Sequence, residues 1–281
     1  MEIKFNKASY VVTDNSTFIK EILSNINLEI ECGKITSIMG KSGSGKTTLV
    51  EMLDGLVIPT KGSIKIGSSI ISIDNSTKVN MIREKIGIVF QNSHEQFFLD
   101  TVEKEISFAV KHLNKSVKNI KKHVLDALTM VGLDESYLSR NPFNLSNGER
   151  KKVAIASVLC ANPKVLILDE PTIGLDNESI ESLISLIRLL KKRYEKTIII
   201  VSKNSDFVHK LSDKVVVLCD GKIVLEGSKY DVFTKDIEKY GLKKPKIIEF
   251  EHYVRENKGI RLLYRDEIND LMKDIYRYAS R

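Results

Sequence analysis

A chain of 281 residues, 42% of them hydrophobic, is long enough to bury a sizeable core as one large domain with a subdomain or as two small domains. Its longest aliphatic runs, such as Val165 to Leu168 and Val215 to Leu218, fall far short of the roughly 18 apolar residues that a spanning helix needs, so no membrane-crossing segment is expected. A net charge of +7 suits nucleic acid, an acidic protein surface or an anionic membrane leaflet without choosing among them. Cys32, Cys160 and Cys219 are too widely spaced for a C-x-x-C metal site or a disulfide framework, and they read as reduced, mostly buried small residues. Met1-Glu2-Ile3-Lys4-Phe5-Asn6-Lys7 lacks the apolar core of a secretory signal, which makes the cytoplasm the expected compartment.

Short β-like segments come first, at Ile3 to Val12, Ile26 to Ile30, Ile35 to Met39 and Ser63 to Ile66, separated by turns such as Glu31-Cys32-Gly33-Lys34 and Pro59-Thr60-Lys61-Gly62. The third runs directly into Gly40-Lys41-Ser42-Gly43-Ser44-Gly45-Lys46-Thr47, a G-x-x-x-x-G-K-[ST] phosphate loop that continues into Thr48. Its glycines let successive N–H groups turn toward phosphate oxygens. The helix expected from about Lys46, with Leu49, Val50, Leu53 and Leu56 at helical spacing, adds its positive end. Lys46 is expected to reach the β- and γ-phosphates and the Thr47 hydroxyl to hold Mg²⁺, so the chain is expected to bind a nucleoside triphosphate.

After a further strand at Ile86 to Phe90, helical periodicity continues to about residue 160. Within it, Lys111, Lys115, Lys118, Lys121 and Lys122 recur at spacings that put much of the charge on one helix face. No aromatic residues alternate with them as a stacking surface requires, so nucleic acid is not an expected partner. Strands return at Val165 to Leu168, Thr197 to Val201 and Val215 to Leu218, with a helix around Ile180 to Lys192. This alternation predicts an α/β core on a largely parallel sheet. Val165 to Leu168 ends in Asp169-Glu170, two carboxylates at the carboxyl end of a buried strand, where open α/β sheets place ligands. Asp169 suits Mg²⁺, directly or through water, and Glu170 suits acceptance of a proton from water attacking the γ-phosphate. Beyond Gly241, Ile268, Leu271, Met272 and Ile275 mark an amphipathic helix that docks either on this chain's core or on a partner.

Between the phosphate loop and Asp169 lies Leu145-Ser146-Asn147-Gly148-Glu149-Arg150, followed by a helix through Val153, Ala154, Ser157 and Leu159. With this segment the chain resembles the ATP-binding-cassette (ABC) ATPases over about residues 1–240. Residues 40–47, Gln91 after Gly87-Ile88-Val89-Phe90, the signature-like 145–149, Val165 to Glu170, and Gly174-Leu175-Asp176 stand in the family's order. The resemblance implies a P-loop NTPase fold: a RecA-like core, an antiparallel β subdomain, a helical subdomain at about 96–160 and a C-terminal helical extension at 241–281. It also implies ATP and Mg²⁺, bound between one subunit's phosphate loop and the signature of a second subunit paired head to tail. On that pattern Ser146 and Gly148 serve the partner's nucleotide, Gln91 touches Mg²⁺ or the attacking water and senses a transmembrane partner, and Asp176 lies across the dimer seam.

A narrower likeness is to the ATPase subunits of energy-coupling factor transporters, which import vitamins and transition-metal ions. It rests on Phe90-Gln91-Asn92-Ser93-His94-Glu95-Gln96-Phe97-Phe98, with a second glutamine five residues after the first, on Thr101-Val102-Glu103-Lys104-Glu105-Ile106, and on the size of the C-terminal extension. The implied partners are a second ABC ATPase, an integral membrane coupling subunit and a substrate-binding membrane subunit. The implied location is the cytoplasmic face of the membrane.

Three departures stand out. Where the family usually ends the strand at Thr197 to Val201 with a histidine for the γ-phosphate, this chain has Val201-Ser202-Lys203. A lysine can donate to a phosphate oxygen but, when charged, cannot accept a hydrogen bond, so either Lys203 holds that oxygen or it is solvated beside a displaced loop. In the signature, Asn147 replaces glycine and Glu149 replaces glutamine; Asn147 is expected to preserve the loop by tolerating left-handed backbone angles. The aromatic that stacks on adenine falls by register at Val12, with Tyr10 as the alternative. Because Lys203 alters the site on this chain's own loop and Asn147 the site on the partner's, a heterodimer with a related ATPase is expected. The competing readings are a subunit that holds ATP as slow structural glue while the partner's site turns over, and a soluble cassette ATPase outside transport.

Overall fold

The computed structural model describes residues 1–13, 19–76, 79–92, 96–113, 119–260, 262–266 and 268–279. In chain order, β1 (Ile3–Thr13), β2 (Ile19–Ile30) and β3 (Ile35–Met39) precede helix α1 (Lys46–Leu53), and β4 (Lys61–Ile66), β5 (Ser69–Ser72) and β6 (Asn75–Ser76) follow it. Helix α2 (Val79–Arg83), β7 (Ile86–Val89), α3 (Val102–Leu113), α4 (Ile120–Met130) and α5 (Asn147–Cys160) lead to β8 (Val165–Asp169). Then come α6 (Asn177–Tyr194), β9 (Thr197–Val201), α7 (Ser205–Leu211), β10 (Lys214–Cys219), β11 (Lys222–Ser228), α8 (Lys229–Phe233), α9 (Lys246–Lys258) and α10 (Ile268–Ala279).

Two sheets result. An antiparallel sheet has the order β2-β1-β4-β5-β6, and a six-stranded sheet has the order β11-β10-β3-β9-β8-β7, parallel except for the hairpin partner β11. The parallel strands are short and buried on both faces, which is why they read as continuous Val/Ile/Leu runs. Alternate residues divide between two cores. Leu166, Leu168, Ile198 and Ile200 pack with α3 to α7, whereas Val165, Ile167, Ile199 and Val201 pack toward α1 and the antiparallel sheet.

Several local expectations change. Helix α1 stops at Leu53, so Leu56 lies beyond it and is exposed. The lysine stretch does not form one helix face: Lys111 lies in the last turn of α3, Lys121 and Lys122 belong to α4, and Lys115 and Lys118 lie outside the described residues. Of the cysteines only Cys160 is buried, Cys32 being exposed and Cys219 intermediate. Helix α10 does pack on its own chain, because Leu271 is buried with Val254 of α9 and Leu262, although Ile268 and Met272 face outward.

Candidate functional site

Strand β3 delivers the loop 40–45 and α1 begins at Lys46. A Cβ on Gly40 would meet Leu218 O at 2.3 Å and Ser44 Oγ at 2.5 Å, so the loop's close contact with β10 requires glycine there. Gly45, at φ +100°, takes a backbone conformation that other residues rarely adopt, just before the first helical turn. The buried Lys46 donates from Nζ to Gly40 O at 2.7 Å and Lys41 O at 2.8 Å, which fastens the loop into a closed ring. Burial pulls the Lys46 ammonium below its ordinary pKa, and the charge of Glu170 opposes that shift.

Gly43, Gly45, Lys46, Thr47 and Thr48 line a cavity of about 490 Å³ together with Lys20, Glu21 and Ile22 of β2 and the Asp220-Gly221 turn. Its size is that of an ordinary small-molecule site. The Asp220-Gly221 turn, with positive φ at both residues, joins β10 to β11 and buttresses the loop: Gly221 N donates to Ser44 O, and Lys41 pairs with Asp220 at 3.1 Å. Neither Val12 nor Tyr10 lines this cavity. Tyr10 packs on the apolar core between the sheets, and a bulge separates it from Val11 and Val12.

The neighbouring strands bring their carboxyl ends to the same edge. Asp169 ends β8 and pairs with Val201 of β9, and Ile38 of β3 pairs with Val201 from the other side. Burial, reinforced by the negative charge of Glu170, raises the Asp169 carboxyl above its usual range, while Lys46 and Lys151 pull it back. Glu170 has φ +41°, an unusual angle for a side-chain-bearing residue, and is held there by its N–H on Val201 O at 2.8 Å. The turn points its carboxylate inward: Oε2 accepts from Lys203 N at 3.3 Å and Ser202 Oγ at 3.4 Å, while Oε1 is buried with no hydrogen-bond partner among the described residues. Two adjacent buried carboxylates, one with an unpaired oxygen, fit a divalent cation and a bound water.

Lys203 follows β9 and donates from Nζ to Ser42 Oγ at 2.7 Å, reaching the phosphate loop from the side of Glu170. His209, on α7, is committed elsewhere: it is buried and its Nε2 shares a hydrogen bond of 2.7 Å with the Tyr264 hydroxyl. Gln91 lies just beyond β7 with its side chain exposed. Its carbonyl accepts from Lys151 Nζ at 3.1 Å. Lys151 was not among the residues expected from sequence; it is 4% exposed, and burial pushes its ammonium down to about 8 against the attraction of Asp169.

The signature segment is built differently from the expectation. Ser146 caps α5, its Oγ accepting from Glu149 N, while Glu149 Oε2 accepts from Ser146 N at 2.8 Å in a reciprocal box. Tyr137 donates to the other Glu149 oxygen at 2.6 Å. Glu149 thus accepts one hydrogen bond on each carboxylate oxygen. Asn147 is the first helical residue and has no left-handed backbone angle, so the loop does not depend on that tolerance. Its Nδ2 instead donates to Gly174 O at 3.1 Å, and Arg150 donates to its Oδ1 at 2.7 Å. Gly148 lets α5 approach α6 closely: a Cβ there would come within 2.6 Å of Ser179 Oγ. Asp176 caps α6, accepting from Ser179 N at 2.8 Å. Ser146, Gly148, Leu175 and Ser179 line a cavity between α5 and α6 that shares no residue with the phosphate-loop cavity.

A fold with a phosphate loop and two carboxylates at the carboxyl edge of a parallel sheet defines a P-loop nucleoside triphosphatase. The model of the ABC transporter family matches residues 23–173. The chain is 42% identical over 265 residues, 93% of its length and 92% of the relative's, to energy-coupling factor transporter ATP-binding protein EcfA2 of Clostridium perfringens (strain 13 / Type A). It is 39% identical over 279 residues to the protein of the same name from Clostridium acetobutylicum, covering 98% of this chain and 94% of that one. Among solved structures, cbiO1 from Clostridium perfringens, part of the ABC transporter complex cbiONQ, superposes with a TM-score of 0.74 at 35% identity, covering 89% of this chain and 98% of cbiO1. A dimeric ATP-binding cassette in a post-hydrolysis state, bound to ADP and Pi, superposes with a TM-score of 0.73 at 28% identity over 81% of this chain and 98% of that one. The chain belongs to the ABC transporter ATP-binding family, and within it to the energy-coupling factor ATPases. It binds ATP and is an ATPase.

Two predictions follow from the signature segment. Gly148→Ala costs about 1–3 kcal/mol by overpacking against Ser179. Combined with Ser179→Ala it shows a compensating coupling of about 0.5–3 kcal/mol, measured by urea unfolding in a double-mutant cycle. The hydrogen bond from Tyr137, followed by those from Ser146, holds the Glu149 carboxyl below its ordinary value of 4.5. The unfolded chain therefore takes up this proton first as pH falls, and the stabilisation is complete above the ordinary value and lost through the depressed one. Thermal unfolding across pH should show the advantage of wild type over Glu149→Gln constant near neutrality and shrinking in acid.

Proposed function

We propose that this chain powers an energy-coupling factor importer from the cytoplasmic face of the membrane, moving a vitamin or a transition-metal ion through membrane subunits that supply the specificity. It works as one half of a head-to-tail pair with a second, related ATPase. The observation that carries the reading is the separation of the two cavities: the phosphate loop lines one and the Ser146 helix terminus lines another. An N-terminal anion site with no phosphate loop beside it is explained by a nucleotide brought on a partner's loop.

Within this chain's own site, Gly40, Lys41, Ser42, Gly43, Ser44, Gly45, Thr47 and Thr48 cradle the phosphates, and Lys46 exchanges its loop carbonyls for phosphate oxygens. Thr47, Gln91 and Asp169 would hold Mg²⁺, which neutralises phosphate charge when bound. Glu170 takes a proton from the attacking water through its unpaired oxygen. Lys203 donates to the γ-phosphate from its position on Ser42. Ser146, Gly148 and Asp176 serve the partner's nucleotide and the seam.

The membrane subunit docks on the groove of about 280 Å³ lined by Arg83, Phe90, Gln96, Phe98 and Phe108. Phe98 is 59% exposed there, and Glu105 fixes its loop by accepting from Phe98 N and Leu99 N. Among the described residues no helix is long and apolar enough to cross a membrane, in keeping with a subunit that docks on membrane proteins. Lys203 gives a second reading its support: tied to the phosphate loop and unable to accept a hydrogen bond, it suits a site that holds ATP while the partner's site turns over.

Affinity purification from membranes should recover an integral membrane subunit and a second cassette ATPase with this chain. Brisk, cooperative hydrolysis by the chain alone would overturn the heteromeric reading. In the assembled complex, Glu170→Gln should slow hydrolysis at this chain's site by about 10²–10⁴ while ATP binding persists. Single-turnover measurements with the partner's site disabled check both, and an unchanged rate removes Glu170 from the role of base.

A further inference from the structure

Helix α5 is fastened at two points one turn apart. At its N-terminus Asn147 holds Gly174 O, and one turn further in Lys151 holds the carbonyl of Gln91. Lys151 is itself buried, as are Ala154 and Ile155, which follow it at three and four residues on the same face of the helix, so an apolar side chain would fill the position without desolvating a charge. What the ammonium gains in exchange is the Gln91 carbonyl and the attraction of Asp169. Both belong to this chain's own nucleotide site, one just beyond β7 and one at the end of β8. The same helix begins with Ser146 to Gly148, in a turn made rigid by the reciprocal bonds of Ser146 and Glu149.

We propose that Lys151 is a positioning residue that couples the Gln91 loop and Asp169 to the signature turn, so that filling this chain's nucleotide site changes how residues 146–150 are presented. The linkage lies within one chain; only its consequence for the second nucleotide rests on the head-to-tail pairing proposed above. When the charge of Asp169 is compensated, its hold on Lys151 weakens. When the Gln91 side chain engages the site, its carbonyl turns with it. Either event moves the ammonium, and a capped helix transmits the movement to its first turn. Asn147, bound to Gly174 O, carries the same movement toward Asp176.

Hydrogen exchange tests this on the full chain at concentrations where sedimentation shows a monomer, with and without Mg²⁺ and the non-hydrolysable analogue β,γ-imido-ATP. In wild type, nucleotide should change exchange at the amides of residues 147–150 by about 5- to 150-fold, the usual span of coupling between sites. Lys151→Met keeps the stem volume and removes the charge; it should abolish that response while the amides of 41–47 remain protected. Lys151→Arg, which keeps a buried donor cation, should restore it at least in part. An unchanged response in Lys151→Met, or no response at 147–150 in wild type while 41–47 are protected, overturns the proposal. Sedimentation at high concentration with nucleotide and the partner ATPase reads the pairing separately, and failure to pair leaves the exchange result standing.

Discussion

Parallel pairing of β3 with β9, β9 with β8, and β8 with β7 is the constraint on which the site depends, because it aligns four strand ends on one edge. Each strand is four or five residues long, and its register is fixed by two cores that take alternate side chains. A slip of one residue in β8 would exchange the faces of Leu166 and Ile167 and carry Asp169 away from Val201. Hydrophobic burial deep in the sheet thus sets the position of polar groups at its rim. The phosphate loop, the two carboxylates, Lys203 and Gln91 need no contacts among themselves to be assembled.

The electrostatics of that rim are balanced among a few groups. Lys46 sits on two loop carbonyls, Lys203 on a loop hydroxyl and Lys151 on the Gln91 carbonyl, while Asp169 and Glu170 lie between them. Each ammonium is thereby held by neutral acceptors rather than locked in a close ion pair with a carboxylate. An ammonium so held can transfer to a phosphate oxygen without stripping a carboxylate of its counter-charge. The same arrangement leaves Glu170 Oε1 unpaired, since its strained backbone faces the carboxylate into the site while the nearby donors reach only Oε2.

Sequence pattern made the α/β core legible where composition and conformation were tightly linked. Apolar strands ending in Gly40 or in Asp169-Glu170 leave few alternatives, and Ile35–Met39 and Thr197–Val201 are strands with the expected bounds. Less was legible where a partner distant in sequence decides the role. Lys151 stands three and four residues before Ala154 and Ile155 and so shares their face, but Lys152 beside it looks the same until Gln91 is placed. Asn147 was assigned a backbone role because its side-chain partner, Gly174 O, is 27 residues away. Asp220-Gly221 is a local hairpin signal joining β10 to β11, but its support of the phosphate loop rests on Ser44, distant in sequence. The bulge between Tyr10 and Val11 shifts strand faces without any mark in apolar periodicity.

Two of the departures from the family pattern have a common physical form. Glycine at 147 could not bind Gly174 O, and a neutral histidine at 203 would bring a ring nitrogen rather than a permanent cation to Ser42. Each substitution adds a tether, to the signature turn in one case and to the phosphate loop in the other. Tethers of this kind reduce the entropy lost on ordering a loop but resist rearrangement during turnover. One joins the start of α5 to Gly174 and the other joins the residues after β9 to the phosphate loop. In a head-to-tail pair they act on different nucleotides, so a partner lacking both would leave each composite site with one tether rather than concentrating both defects in one. That distribution is a physical argument for a pair whose members are related but not identical.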